Sequence, residues 1–248
     1  MNAQDFIDLK TKINCTLDNA ECIWKEVGPQ FLFESKLIKV MFSEQKIETF
    51  IPGFPFIEEG KPKTGNFVAL VLDVRESTKH LTQAIKAKAS LLERVLYETY
   101  AINTMGEFVI GRHNGGITEF LGDGFLALFH VEKKDDVKKS KKAAHECLQS
   151  LDVVNEILKE RYDLPPLVIG IGLAYSKAII TIMGSVNNLH PKVLGKCVYK
   201  ASKIATGQNE VLYDPDLKYI WPSCKGGKLK FVEVNHRNQS ELKAYKIQ

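Results

Sequence analysis

Phe67 to Leu72 is an unbroken apolar run closed by Asp73, the pattern of a buried strand. From Lys79 to Met105 the residues Leu81, Ile85, Leu92, Val95, Leu96 and Ile102 recur at helical spacing, and Gly106 is placed to end that helix. GGITEFLGDGFLALF, Gly115 to Phe129, reads as two short apolar strands folded around Gly-Asp-Gly. A second amphipathic helix is predicted over Val137 to Arg161, with Ala144, Cys147, Leu148, Leu151, Val154 and Leu158 on one face and Pro165-Pro166 behind it. Leu167 to Ala174 and Ala178 to Met183 read as two further strands.

The order strand, helix, strand, strand, helix, strand predicts an α+β, ferredoxin-like βαββαβ core with helices on one face of an antiparallel sheet. A short helix, Val198 to Thr206, closes on Gly207, and a carboxyl-terminal extension offers strands near 229–234 and 242–247. IPGFPFIEEGKPKTGN carries enough Pro and Gly to be a rigid lead-in. The expected division is therefore an amino-terminal lead over 1–62 and one domain over 63–248.

Composition narrows the function classes. With 248 residues, 44% hydrophobic and 26% charged, the chain is an ordinary globular one. Its apolar runs are too short to cross a bilayer, and MNAQDFIDLK lacks the basic and apolar regions of a secretory signal, so a cytoplasmic protein with no membrane partner is expected. Five cysteines without a CxxC pair suit reduced thiols, so a bound metal would be held by oxygen. The basic run Lys133 to Lys142 is broken by Asp135 and Asp136 and reads as a solvated loop rather than a nucleic-acid patch. A single-stranded RNA binder on the same topology is disfavoured, because the central strands lack a Lys/Arg-Gly-aromatic stretch.

The acidic residues at the strand ends are the candidate chemistry. Asp73 or Ser77 could cap the helix that follows, and the Asp of Gly-Asp-Gly could be a turn residue. In a ferredoxin-like sheet, however, the end of the first strand and the hairpin tip lie close. Asp73 and Asp123 then converge beside a helix start, a place for divalent cations and a triphosphate.

FVALVLDVRESTKHL, GGITEFLGDGFLALF, LVIGIGLAYSKAIITIMGS and KVLGKCVYKASKIAT together resemble, in order and spacing, the catalytic core of class III nucleotidyl cyclases, the adenylyl and guanylyl cyclase family. The resemblance covers roughly Gly65 to Gly207, and SELKAYKI is similar to the family's last strand. It implies a dimer with active sites at its interface, and two Mg²⁺ or Mn²⁺ ions on Asp73, Asp123 and the Val74 carbonyl. It also implies a phosphate-holding turn at Arg75, Glu76, Ser77 and Thr78. The ribose 3′-hydroxyl would attack the α-phosphorus and release pyrophosphate.

Glu119 shares parity with Leu121 and Asp123, about 13 Å from the latter at ~3.3 Å per residue in a regular strand. In the resembled family this position reads the base, and the second base-reading position falls on Lys192. Glu accepts from a ring N–H and Lys donates to a carbonyl, which suits uracil and also guanine, and fits adenine badly. The family's transition-state Asn and Arg fall on Tyr199 and Lys203, whose i, i+4 spacing shares one helix face. The plainer alternatives are an edge-exposed Glu119, a Tyr199 packed at the interface and a solvated Lys203.

These departures most resemble the bacterial pyrimidine cyclases of antiphage (Pycsar) systems, whose cyclic UMP or cyclic CMP switches on a separate effector. The expectation is a homodimeric cyclase preferring UTP, with Asp73 and Asp123 from one subunit and Lys192, Tyr199 and Lys203 from the other. A guanylyl cyclase and a non-catalytic nucleotide-binding dimer are the alternatives. Arg237 and Lys243 are candidates for the γ-phosphate.

Overall fold

The computed structural model describes residues 1–27, 47–58, 61–83, 87–185, 188–222, 229–236 and 242–248. Strand β3 (Lys63–Val74) is the axis, paired antiparallel with β5 (Gly124–His130) on one side and β6 (Ile169–Ser185) on the other. Val68, Leu70 and Leu72 enter one hydrophobic cluster while Phe67, Ala69 and Val71 enter a second. Burial on both faces is why this strand shows no polar alternation in sequence. With β4 (Gly116–Phe120) outside β5, the order β4-β5-β3-β6 is that of the predicted ferredoxin-like core.

The first cluster is covered by α3 (Leu91–Arg112) and α4 (Val137–Tyr162), and by α1 (Ala3–Val27), whose Leu9, Ile13 and Leu17 are fully buried. Arg161 ties α1 to α4 through Asp18 and Glu21, each 2.6 Å from Nη2. The second cluster takes Cys197 and Ala201 from α5 (Lys196–Ile204). It also takes Ile51 and Ile57 from the small hairpin of β1 (Ile47–Glu48) and β2 (Phe56–Ile57). Helices therefore lie on one face as far as α3 and α4 go, and α5 occupies the other.

Beyond β6 the sheet continues with β8 (Glu210–Tyr213), β10 (Ala244–Ile247) and β9 (Phe231–Val234), β8 running parallel to β6. The helix expected over 79–105 is two helices, α2 (Ser77–Thr82) and α3. A capping box restarts the chain: Ser90 Oγ accepts from the Glu93 N–H, and Glu93 Oε2 accepts from the Ser90 N–H at 2.9 Å. Gly106 does not end the helix; it lies inside α3 against Phe125, whose ring occupies the space a Cβ would need.

The two strands expected over 167–174 and 178–183 are one, because β6 holds a continuous register with β3 from Ile169 to Ile180. It also carries β7 (Asn188–Gly195), which the apolar pattern did not reveal, as it did not reveal β8 or α6 (Pro215–Ile220). Among the described residues no helix is long and apolar enough to cross a membrane.

Candidate active site

The hairpin between β4 and β5 turns at Gly122, whose φ of 85° suits a residue without a side chain. A Cβ on Gly124 would stand 2.0 Å from the Leu72 carbonyl oxygen, so this second glycine lets the hairpin lie directly against β3. As a result Asp73 pairs with Gly124, and the Val74 N–H donates to the Asp123 carbonyl at 3.3 Å. The two aspartates sit on adjoining backbone, fifty positions apart in the chain.

Their immediate surroundings differ. Asp123 lines a hollow of about 330 Å³ with Val74, Ser77, Thr78, His80, Leu81 and Glu98, on the α2–α3 side. Asp73 lines one of about 270 Å³ with Arg75, Ser202 and Thr206, on the α5 side. Leu121 is a wall of both.

Arg75 is ion-paired with Asp73. Glu76 takes a left-handed φ of 59° and turns to Lys79 at 2.5 Å, a hydrogen bond that holds its carboxyl below the ordinary range. Of the turn predicted to hold phosphates, Ser77 and Thr78 thus share the hollow with Asp123, while Arg75 stands with Asp73. Neither Asp73 nor Ser77 caps α3, a role taken by Ser90, and α2 has no side-chain cap.

Among the described residues no group of three His, Cys, Asp or Glu side chains gathers to hold a metal. What the strand ends offer is two carboxylates and backbone carbonyl oxygen on neighbouring strands. That donor set suits a hard divalent cation, which would have to replace the Arg75 guanidinium on Asp73.

β4 carries a bulge between Ile117 and Glu119 and stops at Phe120, so the regular strand spacing from Glu119 to Asp123 does not hold through the turn. Glu119 Oε1 instead meets Lys192 Nζ at 2.9 Å, both side chains about a third exposed. The structure thus brings the two expected base-reading positions together within one chain.

On α5 the Lys203 ammonium lies 5.6 Å from the centre of the exposed Tyr199 ring, a cation–π contact that confirms their shared face. Lys243 is paired with Glu233 at 3.1 Å, and Arg237 falls outside the described residues.

Sequence reasoning missed Ser202 and Thr206 beside Asp73, and the Thr206 hydroxyl is buried without a hydrogen bond. It also missed a hydrogen-bonded chain in which His80 meets the buried Glu98 and Arg94. Arg94 Nε donates to Glu98 Oε1 at 2.7 Å, and His80 Nδ1 meets Glu98 Oε2 at 2.6 Å. The i, i+4 spacing of Arg94 and Glu98 was a usable signal for half of this. Nothing marked His80.

No family model matches the chain, and no curated protein matches it in sequence. Solved structures do. The guanylyl cyclase Cya2 aligns with a TM-score of 0.62 and 20% identity, over 75% of this chain and 92% of that one. The adenylyl cyclase CyaB from P. aeruginosa aligns at 0.60 and 16% identity, over 76% of this chain and 96% of that one. A bacterial light-regulated adenylyl cyclase aligns at 0.60 and 18% identity; the match takes in 76% of this chain and about half, 53%, of that one. The chain therefore has the fold of adenylyl and guanylyl cyclase catalytic domains.

Proposed function

We propose that this protein is a metal-dependent nucleotidyl cyclase, a lyase that converts a nucleoside triphosphate to a 3′,5′-cyclic nucleotide and pyrophosphate. The observation that carries this is the pairing of Asp73 with Gly124, which sets two aspartates on adjoining strand ends of a cyclase fold.

Asp73, Asp123 and the Val74 carbonyl would hold two divalent cations, Mg²⁺ or Mn²⁺. When bound, these supply charge neutralisation on the triphosphate and a lowered pKa for the 3′-hydroxyl. The chain's own groups do the rest. Backbone N–H groups at Ser77 and Thr78 orient the phosphates, and Arg75 shifts from Asp73 to the substrate. Lys203 offsets the charge that builds on the α-phosphate as its bond to the 3′-oxygen forms and its bond to pyrophosphate breaks. The hydroxyl proton leaves to solvent.

Two copies are needed on this reading, Tyr199 and Lys203 completing the site of the partner subunit, while Lys192, expected to do the same, stays with Glu119 of its own chain. One neighbour, the guanylyl cyclase domain of the RhoGC fusion protein, is itself described as dimeric. Glu119 and Lys192 would read an N–H next to a carbonyl. We assign UTP as the preferred substrate, and a role in bacterial antiphage signalling, through a cyclic pyrimidine nucleotide that switches on a separate effector in the cytoplasm.

A guanylyl cyclase is the second reading, supported by the same Glu119 chemistry and by guanylyl cyclases among the structural neighbours. A non-catalytic nucleotide-binding dimer is the third, supported by Tyr199 and Lys203 and by the Arg75 guanidinium on Asp73. Incubation of the protein with each of the four ribonucleoside triphosphates and Mn²⁺ decides among them. Cyclic UMP and pyrophosphate as the main products support the first, cyclic GMP the second, and triphosphate binding without pyrophosphate release the third.

A further inference from the structure

Helix α2 has six residues, no buried residue and no side-chain cap, and it begins at a left-handed Glu76. A single turn and a half of helix is not stable by itself, and the usual remedy, an apolar stripe in the core, is missing. Its one large apolar side chain, Leu81, is half-exposed, and with Ser77, Thr78 and His80 it lines the 330 Å³ hollow. Two of the helix's own hydrogen bonds, Lys79 to Glu76 and the Thr82 hydroxyl to the Thr78 carbonyl, are local and fix nothing outside it.

His80 is the exception. Its side chain is 13% exposed and its Nδ1 meets Glu98 Oε2 at 2.6 Å, while Arg94 Nε holds the other oxygen of Glu98 at 2.7 Å. A carboxylate only accepts, so Nδ1 carries the proton and donates. Arg94 and Glu98 are both buried on α3, one turn apart, which makes the anchor part of the core. Breaking a buried charge network by removing one member is costly, so the position of His80 is well determined.

Ser77 and Thr78 stand three and two residues before His80 and line the same hollow as Asp123. We propose that His80, Glu98 and Arg94 form a clamp that positions the Ser77–Thr78 turn for the phosphate chain of the substrate. His80 is here a positioning residue, acting through the turn it holds. The inference rests on the cyclase reading for the identity of the substrate, and on the geometry alone for the existence of the clamp.

The test compares the wild-type protein with His80→Leu, which fills similar space without the hydrogen bond, and His80→Asn, whose amide nitrogen takes the place of Nδ1 and can still donate to Glu98. Glu98→Gln is a second route to the same loss should His80→Leu fold poorly. Binding of tripolyphosphate with Mg²⁺ is measured by calorimetry, alongside KM and kcat for the best triphosphate and the melting temperature. His80→Leu and Glu98→Gln are expected to weaken tripolyphosphate binding and raise KM roughly 10- to 100-fold, as misplacement of a positioning element does, with a smaller fall in kcat. His80→Asn is expected to restore most of the affinity.

Tripolyphosphate binding unchanged in folded His80→Leu or Glu98→Gln overturns the clamp, as does absence of binding to the wild type. A lowered melting temperature with unchanged affinity also overturns it, since that is a purely structural role. Loss of tripolyphosphate affinity in a protein that turns over no triphosphate supports the clamp while refuting the cyclase reading.

Discussion

Lys192 Nζ on β7 stands 2.9 Å from Glu119 Oε1 on β4, an ion pair between strands that are not neighbours in the sheet. With both side chains about a third exposed, the pair contributes little to stability, on the order of 0–1 kcal/mol. On the cyclase reading proposed above, its value would lie in holding an acceptor and a donor side by side for a base edge with adjacent N–H and C=O. Glu119→Ala should therefore change the ratio of UTP to GTP use by roughly 10-fold or more, since hydrogen bonds to charged groups are worth about 1.5–3 kcal/mol. Rates with the two triphosphates in competition provide the measurement. An unchanged ratio would show that Glu119 does not read the base.

Gly124 is the contact through which Asp123 is brought to Asp73. Any side chain there meets the Leu72 carbonyl oxygen, so Gly124→Ala must push the hairpin away from β3 at the point where the aspartates adjoin. Turnover should fall at least as far as in Asp73→Asn. That variant is expected to lose more than the roughly 100-fold typical of removing a mere supporting residue of a metal site. Asp73→Asn should keep the wild-type circular dichroism and melting profile. If it retains turnover, the metal assignment fails.

On the proposed cyclase reading, Lys203 would carry the charge that the resembled family supplies from an Arg. Lys203→Ala should lower kcat by roughly 100-fold or more with KM little changed, the signature of an interaction made in the transition state. Lys203→Arg adds a bidentate fork at the same place on α5 and should match or exceed the wild-type rate. Equal kcat in the wild type and Lys203→Ala would leave the residue as the solvated side chain of the plainer alternative.

The core was legible where burial and periodicity coincide. β3 runs apolar because both its faces are covered, and α4 shows its stripe because one face is. Asp73 and Asp123 were legible because each ends an apolar run at a turn. The division of α2 from α3 was hidden by Leu81 and Leu92, which keep helical phase across the break although they belong to separate helices. β7 was hidden because Asn188, His190, Pro191 and Lys192 dilute its apolar positions, and its pairing with β6 depends on a curl no local pattern records. The His80–Glu98–Arg94 chain was hidden because two of its members are neighbours on α3 and the third arrives from another helix. Buried ionic groups carry no periodic signature.

The remaining prediction concerns stability at high pH. Tyr97 on α3 stacks on Tyr162 of α4 with ring centres 4.2 Å apart. Burial first, then the negative charges of Glu93 and Glu21, pushes the Tyr97 phenol from 10.0 up to about 12. The Tyr162 phenol is raised in the same direction, by burial and by its hydrogen bond to Glu21 at 2.7 Å. Below about pH 10 both the folded and the unfolded chain keep these protons, so the contribution is fully present. Between about 10 and about 12 the unfolded chain releases the Tyr97 proton while the folded one retains it, so stability falls as pH rises. The melting temperature of the wild type should accordingly begin to drop near pH 10. Tyr97→Phe, with no proton to lose, should drop less steeply over the same interval. Thermal melts across that range, with phenolate absorbance to follow ionisation, give the comparison, and parallel curves for the two proteins would refute the assignment.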